Sequence, residues 1–186
     1  MRNKRNRLLL LALMAGVIST MPEPVPAHAY QEIKETRTIS RFLDDNYSGI
    51  KFIHRHANEM KKQASPFNNK RHREKYRFEP GDKHARAIMS KSRELASRFK
   101  IVNGILYHSD LPNRIGIYNN AIEKINSIST YAKRAIRANK DNNYALYLTS
   151  AQGIEKISFE LNELLDQLEV EINESIVEAD ARKEAL

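Results

Sequence analysis

IEKISFELNELLDQLEVEINESI, residues 154–176, carries its apolar side chains at Ile154, Ile157, Leu161, Leu164 or Leu165, Leu168, Ile172 and Ile176. Steps of three and four place them on one face of a helix, with the acidic and amide residues on the other. Extended until the pattern fades, this predicts a helix over 144–185, a rod on the order of 60 Å long. Upstream, Asn139-Lys140-Asp141-Asn142-Asn143 is a poor helix former and a good turn former, so it closes an αα-hairpin. The other arm is predicted over 112–138, with Ile115, Tyr118, Ile122, Ile125, Ile128, Ala132 and Ile136 on its buried face. Ser109, Asp110 and Pro112 mark its start, because Asp accepts bonds from free amides and Pro fits a first turn.

The same spacing recurs further back. Ala85, Ile88, Ser92, Leu95, Phe99, Val102 and Leu106 predict a helix over 83–107, with Asp82 as a capping residue. Ile39, Leu43, Ile50, Ile53, Ala57, Met60 and Ala64 predict a first helix over 31–63, ended by Pro66 and softened at Gly49. Between these two, residues 65–81 read as a solvated loop. Asn68 and Asn69 lead into the basic run Lys70-Arg71-His72-Arg73, followed by Tyr76, Phe78 and the turn signal Pro80-Gly81. The expected fold is all-α: an elongated three-helix bundle with a small, basic helical and loop appendage, residues 65–111, inserted after the first helix.

The 186 residues suit one domain, and six Gly and six Pro favour helix over sheet. The absence of Cys excludes a disulfide scaffold, a thiol nucleophile and Cys-ligated metal sites. Arg2, Lys4, Arg5 and Arg7 precede the apolar run Leu8 to Ile18, and Ala27-His28-Ala29 has the form of a signal-peptidase site. Residues 1–29 therefore read as a cleaved export signal, and 30–186 as the mature helical domain. The apolar run is shorter than the roughly 20 residues of a spanning helix, so no membrane span is expected after cleavage.

The formal charge of +8 conceals an asymmetry. Residues 51–100 hold 15 basic and 5 acidic side chains, whereas 150–186 hold 3 basic and 10 acidic. Such a chain can dock on charged partners or pair head to tail with copies of itself. Alternatively, the acidic last helix lies beside the basic half and neutralises it internally.

No motif for catalysis stands out. His54 and His56 are two apart and point about 200° from each other on a helix, so they cannot share an ion. His72 and His84 lack a nearby carboxylate cluster, and the carboxylates of the last helix lack the E-x-x-H partner that di-metal bundles use. Nucleophile-elbow, P-loop and dinucleotide motifs do not occur. The reading is of a non-enzyme with no cofactor, no metal and no small-molecule substrate. Recognition falls instead to Lys70, Arg71, Arg73, Tyr76 and Phe78, since aromatic and Arg side chains are enriched at the centres of protein interfaces. Basic charge interleaved with aromatic faces also suits single-stranded nucleic acid, but charge alone does not select it.

The export signal, the long first helix, the excursion and the closing pair of helices together resemble the minor pilins of conjugation-type type IV secretion systems, the TraC-like pilus-tip proteins. The resemblance lies in residues 122–185: Lys133-Arg134-Ala135-Ile136, the Lys140-Asp141 turn, Leu146, Ala151 and the closing Glu178-Ala179-Asp180-Ala181-Arg182. It implies a periplasmic and pilus-associated subunit whose partners are other pilus or secretion-channel subunits and the surface of a recipient or host cell. A periplasmic holdase chaperone is the alternative from a different class, and an envelope binder of anions or nucleic acid is a third.

Overall fold

The computed structural model describes residues 27–106 and 112–184, with side chains described for 41–99, 116–171 and 173. They form five α-helices and one 3-10 turn: α1 Ala27–Ala64, the turn Ser65–Asn68, α2 Lys70–Lys75, α3 Lys83–Leu106, α4 Pro112–Lys140 and α5 Tyr144–Glu184. The chain divides into two compact units, Met1–Arg37 and Thr38–Leu186. Residues 27–37, the opening of α1, are the described part of the first, and the bundle belongs to the second. Residues 1–26 of the expected signal 1–29 and the helix start at Ser109 and Asp110 lie outside the described residues, as do the side chains of Ile39, Val102, Leu106, Ile115, Ile172 and Ile176. Ala27-His28-Ala29 falls in the first turn of α1, which begins before the expected residue 31.

The all-α expectation holds, and the bundle has four walls rather than three. α3, expected inside an appendage, runs antiparallel to α1: Phe42 meets Phe99 edge-on at 4.9 Å, Asp45 pairs with Arg98 at 2.8 Å and His56 meets His84. Its other side packs on α4, with the Phe99 and Tyr118 rings 5.8 Å apart and Asn139 donating to Asp82 at 2.8 Å. α4 and α5 form the predicted hairpin, tied by Lys124 to Glu160. α5 closes on α1 through the Lys61–Glu155 ion pair, 2.6 Å, and the bond from the Tyr47 hydroxyl to Asp166, 2.6 Å. Each helix is thus antiparallel to both of its neighbours, the up-and-down arrangement that short connections favour.

Ala85, Ile88, Leu95 and Phe99 are the reason α3 joins the core, each at most 1% exposed. A stripe that long and apolar is unstable unless a second surface covers it. Gly49 does not soften α1, which runs unbroken through it. A Cβ there would stand 2.6 Å from Leu95 Cδ2, so the glycine permits the close approach of α1 and α3. Gly153 does the same for α5 beneath the Tyr131 ring, 2.8 Å from a Cβ at that position. The serines Ser92, Ser150 and Ser158 are buried without cost in unmet bonds, because each hydroxyl donates to the carbonyl four residues back.

The α4–α5 turn follows from its asparagines. The Asn143 amide bonds the Ala138 carbonyl at 2.8 Å and the Asn142 amide that of Asn139 at 3.2 Å, with Asn142 at φ 53°. That is the Schellman pattern, and asparagine tolerates the left-handed position. The Asn143 side chain then caps α5 by accepting from the Leu146 amide at 3.0 Å.

Candidate functional site

An even number of antiparallel helices returns the chain to the end it left, so the α1–α3 connection and the α4–α5 turn share one end of the bundle. Residues 59–86 and 137–144, which build that end, hold eleven Lys and Arg against five Asp and Glu. The segment 65–81 is not a simple loop. Asn69 caps α2 by accepting from the Arg71 amide at 2.9 Å, and the six residues of α2 carry no buried side chain. Short helix forms here because the cap satisfies free amides that a six-residue helix cannot.

The structure separates the five residues expected to recognise a partner. Lys70 and Arg71 are exposed, Lys70 lying 3.8 Å from Glu74. Tyr76 is half exposed, its ring 4.6 Å from His72 and beneath the Lys75 ammonium at 5.2 Å. Arg73 is a strut: its guanidinium donates to the carbonyls of Phe67 and Asn68 and to the Tyr144 hydroxyl, at 2.8, 3.1 and 2.9 Å, and covers the Tyr144 ring. Phe78 is a correction to the expected surface. At 4% exposed it packs edge-on against Phe67 at 5.0 Å and Tyr147 at 5.2 Å, so it anchors the connection to α5. Nothing in a stretch flanked by Arg77 and Glu79 could reveal that burial, because a single aromatic has no period.

Further cations come from other elements. Lys83 and Arg86 open α3, and Arg137 and Lys140 close α4, all four exposed. The ion pairs of the excursion are local: Lys70 with Glu74, Arg77 with Glu79 at 3.2 Å and Arg86 with Asp82 at 2.9 Å. The last helix instead spends Glu155 on Lys61, Glu160 on Lys124, and Asp166 and Glu169 on the Tyr47 hydroxyl. Burial and those two carboxylates push the Tyr47 phenol far above its ordinary value, so it remains a donor. Glu155, Glu160, Asp166 and Glu169 of α5 are thus engaged away from α2, and of the cations at this end only Lys61 is shown paired with one of them.

A second constellation was invisible in the sequence. His56 on α1 and His84 on α3, 28 positions apart, bring their Nδ1 atoms to 2.8 Å, and the Phe52 ring lies 4.3 Å from that of His56. One imidazole must donate and the other accept. Burial, then the charge of His84, then Arg55 and Lys83, hold the His56 pKa below its ordinary value, against a smaller opposing effect of Glu59. Among the described residues no group of three or more potential ligands forms a metal site, and no helix is long and apolar enough to cross a membrane.

In the unfolded chain His56 takes up its proton near its ordinary value of about 6.5, whereas the folded chain resists protonation until lower pH. The unfolded state thus binds more protons in that interval, and stability falls as pH drops below about 6.5. Thermal melts between pH 8 and pH 5 are expected to show a decline in Tm that His56→Gln reduces; equal declines in both would refute the role of the pair.

Comparison with protein-family models, with curated proteins and with solved structures finds no match to this chain.

Proposed function

We propose that the protein is an exported, non-enzymatic minor pilus subunit of a type IV secretion system of the conjugation type, which aids assembly of the fibre and contact with a recipient or host cell. The observation that carries the reading is the resemblance of residues 122–185 to the TraC-like minor pilins, following a basic and apolar leader with an A-x-A site. The α4–α5 hairpin supplies the scaffold the reading requires, and the basic end supplies the surface. Lys70, Arg71 and Tyr76 are its recognition residues, while Arg73 and Phe78 hold the segment in place.

The test pairs stability with transfer. Replacing Lys70 and Arg71 by Gln and Tyr76 by Ser is expected to alter stability by no more than about 0.5 kcal/mol per site, yet to lower conjugation efficiency or cell attachment. The parent protein should copurify with sheared pili and begin at Tyr30. Normal transfer by the folded variant would remove the recognition role of these residues, and absence from the pilus fraction would overturn the assignment.

A further inference from the structure

We infer that the basic end of the bundle docks flat on an anionic phospholipid membrane. Its cations are spread across the end rather than along a line: Lys70, Arg71 and Lys75 on α2, Lys83 at the start of α3, and Lys140 at the close of α4, all exposed. With neighbouring helix axes about 8–10 Å apart, these charges span the width of the bundle. The eleven cations and five carboxylates of residues 59–86 and 137–144 leave a net charge of +6, or +5 once Glu155 of α5, the partner of Lys61, is included. A planar array of headgroup phosphates meets such a surface at many points at once, and juxtamembrane basic clusters bind anionic leaflets by that summed attraction.

Two features favour a bilayer over single-stranded nucleic acid. A strand needs a groove with aromatic platforms for successive bases. Here Phe67 and Phe78 are consumed in packing against each other and against Tyr144 and Tyr147. A pocket of about 200 Å³, lined by Ser127, Thr130, Tyr131 and Arg134, lies further down α4 and takes none of its lining from α2. What remains is one half-exposed tyrosine, Tyr76, beside exposed lysines. An aromatic ring with a polar tip is the side chain that settles at the level of lipid headgroups. Docking of this kind does not require the pilus assignment and is read by a different measurement.

The experiment is flotation of the full chain with vesicles of phosphatidylcholine alone or with 30% phosphatidylglycerol. The neutral vesicles register any association of the apolar run 8–18, and the basic residues 2–7, which also favour anionic lipid, are the same in every variant, so the site is read from the difference between the two triples. At 50 mM salt the anionic vesicles are expected to bind at least tenfold more tightly than the neutral ones, and 300 mM salt should remove most of the difference. Lys70→Gln, Arg71→Gln and Lys75→Gln together should lower anionic binding about tenfold. Lys51→Gln, Arg93→Gln and Lys156→Gln, the same charge change at exposed cations elsewhere, should leave it near the parent. Equal loss in the two triples would show a response to net charge and overturn the site. Equal binding to both vesicle types would overturn the lipid, as would a 30-nucleotide single strand that binds through the same lysines and is not displaced by anionic vesicles. Both triples change only exposed side chains, and a thermal melt of each verifies that the bundle is intact.

Discussion

Leu161→Asp is expected to abolish the cooperative thermal melt of this protein or to lower its midpoint by tens of degrees. Leu161 is fully buried on α5, at a level where Lys124 ties Glu160 to α4 and the Phe159 ring lies 4.8 Å from His54 of α1. Loss of a buried leucine side chain alone costs about 2–5 kcal/mol. Among the described residues no Lys or Arg is buried, so a carboxylate left in its place must shift its pKa or draw in water, at a further cost of several kcal/mol. Against a total stability of about 5–15 kcal/mol, little remains. Leu161→Met, which conserves volume, should cost less than about 1.5 kcal/mol. Circular dichroism melts of the two variants check this, and a Leu161→Asp protein that melts with the parent would mean that α5 is not packed as described.

Phe78→Ala carries the second largest expected effect, about 3–5 kcal/mol, although it lies in a connection and not in a long helix. Its ring contacts Phe67, Tyr144 and Tyr147, and so pins the 3-10 turn and the approach to α3 on the start of α5. Tyr76→Ala, two residues earlier and half exposed, should change stability by no more than about 0.5 kcal/mol. The contrast is the measurement: urea unfolding of both variants. A small effect at Phe78 would return it to the recognition surface, and a large effect at Tyr76 would remove that residue from it.

The helices themselves were legible because each repeats one instruction many times. Predicted spans of 31–63, 83–107, 112–138 and 144–185 became Ala27–Ala64, Lys83–Leu106, Pro112–Lys140 and Tyr144–Glu184. Pro66 stopped the first helix and the asparagine-rich turn closed the hairpin by local chemistry that needs no distant partner. The all-α class, the apolar stripes and the uneven charge thus belonged to the chain alone. What it left open was how the stripes meet. A stripe records that a helix must be covered and not by which neighbour, so α3 could be read as an appendage until Leu95 was found against Gly49. The same limit hid the His56–His84 contact, the burial of Phe78 and the gathering of Lys140 with Lys70 at one end. Each depends on positions far apart in sequence, and only the antiparallel closure of four helices, set by mutual burial of their apolar faces, brings those positions together.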